Sequence, residues 1–193
     1  MIKKYLFILF CLQWSPLFAQ FTVTIQWATV KPANNSDTIY YNPQQKLSWA
    51  DFKGKPDAKS PAAAVTESGF GYRLTMNAIN NKIDVIVTVF CYFDKRKSWV
   101  KKEMDNAYAL THEQHHYDIT YINACLCVNK LKQAQYNNKN FSKVVERIHD
   151  ESFESLSKMQ DAYDGETANG RIKNIQLQWN KKIDTQLTTL PID

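Results

Sequence analysis

The chain has 193 residues, of which 44% are apolar and 22% charged, and it carries a formal charge of +5 at neutral pH. That length suits a single core. The charge is too mild for a nucleic-acid footprint, and no later apolar run reaches the roughly 20 residues of a bilayer-spanning helix.

Residues 1–19 read as a secretory leader. Lys3 and Lys4 form its basic start, Tyr5 to Trp14 its apolar stretch, and Leu17-Phe18-Ala19 a cleavage site before Gln20. Loss of the two lysines lowers the charge to +3. The expectation is one domain over residues 20–193, periplasmic or secreted, with no membrane attachment after leader removal and no nucleic-acid partner. Cys11 follows Phe10, where lipid attachment takes a small residue. Cys91, Cys125 and Cys127 remain, an odd number that allows at most one internal disulfide. Cys125 and Cys127, two apart on a helix, face different directions, and the thiols read as small buried apolar groups.

From Phe21 to Val30, apolar and polar residues alternate at the period of a half-buried strand. Ser48 begins a short helical turn that Gly54 and Pro56 end, with Leu47, Trp49 and Phe52 as a plug on the core. Thr66–Met76 and Lys82–Phe93 read as a hairpin joined by Asn77 to Asn81, its second strand apolar on both faces and so central. This hairpin is the expected platform for an extended substrate. Lys95, Arg96, Lys97, Lys101 and Lys102 read as a solvated basic turn.

A long helix follows, with Met104, Ala107, Leu110, Tyr117, Tyr121, Ala124, Val128 and Leu131 at spacings of three and four. It contains His112-Glu113-Gln114-His115-His116. Residues four apart on a helix share a face, so His112 and His116 can take two corners of a zinc site. Glu113 then stands at its edge, where a carboxylate accepts a proton from attacking water and passes it to a leaving amine. His115 lies on another face, as a surface or supporting residue. Asp118 points off the metal face, as an acceptor that orients the ligands from behind or as a structural hydrogen-bonding residue. Tyr117 and Tyr163 are oxyanion donors only if they reach the cleft, and otherwise packing residues. A second helix runs from Phe141 to Tyr163, stopped by Gly165, and Gly170 opens a third with Ile172, Ile175, Gln176, Trp179 and Ile183.

Leu47-Ser-Trp-Ala-Asp-Phe-Lys-Gly-Lys-Pro56, Ser98-Trp99-Val100, His112 to Ile119, Tyr163 to Gly170 and Gln178-Trp179 together resemble the bacterial family called domain of unknown function 922. Members are described as secreted zinc-dependent proteases. The resemblance covers nearly all of residues 20–193. It implies an α+β, zincin-like fold: a small antiparallel sheet, then the metal-site helix and two further helices. It also implies zinc as cofactor and a peptide or protein as substrate. The family's third ligand is a histidine in a Thr-x-His-Gly motif, and Asn169 stands at that position here. Asparagine binds zinc weakly. Asp164 or Glu166 from the same loop, Glu146, His149, Asp150 or Glu151 from the preceding helix, or His115 are the substitutes. Two functions therefore stand open: a metallopeptidase with a weak or unconventional third ligand, or a binding domain whose metal is weak or lost.

Overall fold

In the computed structural model, which describes residues 20–28 and 36–190, strands precede helices. The strands are β1 (Gln20–Trp27), β2 (Thr38–Tyr40), β3 (Ala64–Val65), β4 (Ser68–Ile79), β5 (Lys82–Asp94) and β6 (Trp99–Val100). The helices are α1 (Ala107–Gln133), α2 (Phe141–Thr167) and α3 (Lys173–Thr189), and a 3-10 turn spans Trp49–Asp51. The class is mixed α+β. The expected leader, Cys11 and Val30 lie outside the described residues.

β5 is the central strand, as its apolar run implies. β4 pairs with it antiparallel along one edge. Along the other edge lie β1, in parallel, and β2, antiparallel. The sheet is thus mixed rather than purely antiparallel, because the long stretch between β1 and β5 supplies the crossover that a parallel pair needs. Val85, Val87, Val89, Cys91 and Phe93 turn to one side and are fully buried beneath the helices. Each such Val or Phe contributes about 1.5–3 kcal/mol by leaving water. Ile86, Thr88, Phe90 and Tyr92 on the other face are only half-buried, so β5 is covered fully on one side. The β4–β5 turn is also tighter than expected: Asn80 and Asn81 both take left-handed backbone (φ 50° and 59°), so the strands run on through Asn77, Ala78 and Ile79.

α1 lies between sheet and helices and buries 15 of its 27 residues, including His112 to His115 and Asp118. A helix enclosed on nearly every side must satisfy its polar groups internally. Asn106 caps it, accepting from the Ala109 N–H at 3.0 Å. The plug packs as expected: Leu47 and Phe52 are buried, and Asp51 Oδ2 accepts from both the Ser48 N–H (3.0 Å) and hydroxyl (2.8 Å). Cys91, Cys125 and Cys127 are buried free thiols.

α2 does not stop at Gly165. A side chain there would meet nothing within 4 Å, so the glycine sits on an open helix surface and the helix runs on to Thr167. Ala168, Asn169 and Gly170 then take left-handed backbone in succession (φ 52°, 54° and 79°) and turn the chain towards α3. Gly170 is favoured twice over, by its positive φ and because a Cβ would lie 3.3 Å from His112 Nδ1, closer than most such contacts.

Candidate metal centre

One turn apart on α1, His112 and His116 bring their Nε2 atoms to 3.1 Å from each other. Asp164 Oδ1 on α2 lies 3.1 Å from both. Donors bound at about 2.0–2.1 Å at the corners of a zinc tetrahedron stand roughly 3.3 Å apart, so this triangle has the size of one tetrahedral face.

The far side of each ring fixes its protonation. His112 Nδ1 is 2.9 Å from Gln176 Oε1, and His116 Nδ1 is 2.6 Å from Gln160 Oε1. The orientation of each amide is set by its other half. Gln160 Nε2 donates to the His116 carbonyl (2.9 Å) and Thr120 Oγ1 (3.3 Å). Gln176 Nε2 donates to the Tyr163 hydroxyl (2.5 Å) and Asn180 Oδ1 (2.6 Å). Both amides thus turn oxygen to the ring, both Nδ1 atoms carry the proton, and both Nε2 lone pairs face Asp164. With both rings neutral, three acceptors converge and a cation relieves their repulsion; without one, a proton on Nε2 bonds Asp164 instead. The group can hold a metal ion.

In the absence of a cation, a proton takes its place among the three groups. Burial pushes Asp164 up, but hydrogen bonds and charge from the two imidazoles overcome it and hold the carboxyl well below its usual range. Burial pushes His116 down, but the Asp164 hydrogen bond and the charges of Glu113 and Asp164 outweigh it and raise it. Tyr163, fully buried, stacks on His112 at 4.6 Å between centroids and meets His116 edge-on at 5.0 Å, holding both ring planes.

Glu113 lies beside the triangle, and its Oε2 accepts from the Thr66 hydroxyl at 2.7 Å. A cleft of about 710 Å³ opens over His112, Glu113, His116 and Asp164. Residues 62–68 form one wall and Phe153, Leu156 and Gln160 of α2 another. The strand wall is pinned where Ser98 Oγ accepts from the Glu67 N–H at 2.9 Å. This wall is β3 and its flanks; of the expected hairpin, only Thr66, Glu67 and Ser68 at the start of its first strand contribute to it. β3 pairs with β6, and Lys101 N donates to Ala63 O at 2.8 Å. Antiparallel alternation then turns the N–H and C=O of Ala64 to the opposite edge.

The side chain that the structure brings against the two imidazoles is that of Asp164, while Asn169 lies nearby. It lines the same cleft, and its backbone N–H donates to Asp164 O at 2.8 Å, while the carboxylate of Asp164 meets the imidazoles. Asp164 belongs to α2 rather than to the loop, because the helix passes Gly165. Glu166 points away and accepts from Trp179 Nε1 at 2.8 Å. Glu151 pairs with Arg147 and His149 with Asp150 on the surface of α2. His115 is buried instead of exposed, its Nδ1 donating to Thr111 O at 3.1 Å, and burial pushes its pKa down to about 4. Asp118 does not support the ligands. It accepts from Tyr41 OH and Gln114 Nε2, both at 2.8 Å, and ties the segment before the plug to α1. Tyr117 donates to Ile39 O at 2.9 Å and Tyr163 to His112 O at 3.4 Å, so both are packing residues. Sequence reasoning missed Gln160, Gln176 and Thr66. Gln160 and Asp164, four apart on α2, carried the one available signal.

Comparison with protein-family models, curated proteins and solved structures finds no match for this chain.

Proposed function

We propose that the protein is a zincin-like, zinc-dependent peptidase that acts outside the cytoplasm, with His112, His116 and Asp164 holding the metal and Glu113 as general base. The observation that carries this reading is the convergence of three acceptor atoms, 3.1 Å apart, beside a buried carboxylate in an open cleft. Two imidazoles and one carboxylate are a donor set that zinc takes in hydrolytic sites, where the fourth position stays open. Zinc bound there supplies Lewis acidity, making a water more acidic and polarising a carbonyl.

The chain's own residues do the rest. An extended peptide adds to the free edge of β3 through the N–H and C=O of Ala64, which lays a peptide bond over the floor of the cleft. Glu113, oriented by Thr66, takes a proton from the attacking water and returns it to the leaving nitrogen as the C–N bond breaks. Gln160 and Gln176 keep each imidazole in the tautomer that offers Nε2 to the metal. The rival reading, a binding domain that has lost its metal, drew its motive from Asn169. A carboxylate at the third corner removes that motive.

Elemental analysis of purified protein together with turnover of an unfolded protein substrate tests the proposal. Glu113→Gln keeps the shape and removes the base, so zinc content and thermal melt stay as in the wild type while turnover falls by roughly 10²–10⁴. Equal turnover in both proteins, or no zinc in either, overturns it.

A further inference from the structure

We propose that the cleft selects peptides bearing a carboxylate on the C-terminal side of the cleaved bond and a large apolar side chain on the N-terminal side. This rests on the peptidase reading above.

The cleft is polarised along its length. At the end nearest the start of α1, it is lined by Arg171 and Lys173. Both are exposed, and among the described residues neither forms an ion pair. Arg171 Nε donates to Ala168 O at 2.8 Å, which steadies the guanidinium and leaves its outer nitrogens free. Lys173 Nζ stands 6.0 Å from the ring of Tyr108, whose hydroxyl donates to Gly170 O at 2.5 Å, so both cations belong to the mouth beside His112. At the opposite end Phe153, half exposed, and Leu156 form an apolar wall, with Phe70 packed against Phe153 at 6.1 Å between centroids. The remaining carboxylates of the lining are Asp161, nearly a turn before Asp164 on α2, and Glu67, between Thr66 and Ser68; both fall on the apolar side of the ligands, and neither pairs with Arg171 or Lys173. An anion placed at the apolar end is repelled, and one at the basic end is attracted.

Orientation follows from the strand wall. Thr66 meets Glu113, and further along Ser68 Oγ lies 2.7 Å from Thr120 Oγ1, so residues 62–68 run in the same direction as α1, from the basic end to the apolar end. A peptide pairing antiparallel with this edge, the more stable arrangement, runs the other way. Its C-terminal side reaches Arg171 and Lys173. At about 3.3 Å per extended residue, residues 62–68, of which β3 is the two-residue centre, span at most roughly 20 Å and accommodate at most about six residues. The carboxylate is a chain terminus or an Asp or Glu side chain, and these are chemically equivalent to two exposed cations.

The test uses zinc-loaded Glu113→Gln protein and fluorescent hexapeptides, read by anisotropy. One pair of peptides compares a free with an amidated C-terminus, and a second compares Asp with Asn near an amidated C-terminus. The expected result is roughly tenfold tighter binding of the acidic member of at least one pair. The pair that shows it identifies the source. Arg171→Glu with Lys173→Glu, introduced into the same protein, should invert the preference towards Lys-bearing peptides. An unchanged preference in that variant, or no peptide bound by either protein, overturns the proposal. Turnover of the wild type, measured in parallel, separates the two readings. Active enzyme without charge preference removes the selectivity alone, whereas inactive enzyme that binds no peptide removes both.

Discussion

The hydroxyl of Thr66 donates to Glu113 Oε2 at 2.7 Å, joining the strand wall of the cleft to the carboxylate beside the two histidines. Thr66 follows β3 directly, so the position of the Glu113 carboxylate is set by the same segment that lines the cleft. Thr66→Val keeps the β-branched shape and removes the donor. Turnover should fall roughly 10–100-fold with zinc content unchanged, and Thr66→Ser should restore most of it. Wild-type turnover in the valine variant would show that Glu113 is oriented without Thr66.

Asp164 in place of Asn169 as the third corner gives a reciprocal pair of expectations. Asp164→Ala should weaken zinc binding at least about 100-fold, read by competition with a chromophoric chelator. Asn169→His should change it by no more than a few-fold, because the corner is already filled. Removal of metal with excess chelator should lower the melting temperature of the wild type, since zinc held by the folded site stabilises the folded state. A tighter site in Asn169→His and no loss in Asp164→Ala would return the third ligand to the loop.

Three residues of the candidate site were legible because their relation is local: His112, Glu113 and His116 lie within one turn and a half of a helix whose periodicity is plain. The place of Asp164 beside them was not, because it depended on whether Gly165 ends α2. The glycine faces open space and costs the helix only about 1 kcal/mol relative to alanine. The helix therefore continues, and Asp164 falls on the same face as Gln160. Which face of α2 meets α1 is a tertiary outcome, and so the roles of Gln160 and Gln176 could not be read from spacing. The same holds for β1. Its alternation predicts a strand, but parallel pairing with β5 depends on the path of the intervening chain. Asn80-Asn81 shows the opposite case: residues 77–81 read as a loop, yet the strand continues to Ile79 and the two asparagines close a tight turn, because asparagine tolerates left-handed backbone.

The choice of glutamine behind both histidines has a physical reason and a consequence. Carboxylates usually make ligating imidazoles more basic. Here Gln160 must also donate to the His116 carbonyl and to Thr120 Oγ1, which a carboxylate cannot do. Gln160→Glu should therefore weaken zinc binding at neutral pH, since one of its oxygens would face the His116 carbonyl. Gln160→Met, which removes both functions, should weaken it as well. Tighter binding in the glutamate variant would mean that ligand basicity outweighs the lost donor.

Asp118 supplies the last contrast, between a residue that supports the metal and one that supports the fold. It is fully buried, and its neutral donors are Tyr41 OH and Gln114 Nε2, each at 2.8 Å. Gln114 in turn accepts from the Leu47 N–H at 2.7 Å, so the carboxylate organises the approach to the plug. Burial, reinforced by the charge of Asp118, holds the Tyr41 hydroxyl far above its usual pKa, which keeps it a donor. Lys46 Nζ stands 3.4 Å away, but its side chain is 55% exposed, and such a pair contributes at most about 1 kcal/mol. Asp118→Asn replaces an acceptor facing two donors with a group that also donates, and hydrogen bonds to a charged group contribute about 1.5–3 kcal/mol. A loss of about 2 kcal/mol in a chain of this size lowers the melting temperature by roughly 4–8 °C. Zinc affinity, measured by chelator competition on the folded variant, should remain within a few-fold of the wild type. A variant with an unchanged melt and weakened zinc binding would instead show that Asp118 acts on the histidines.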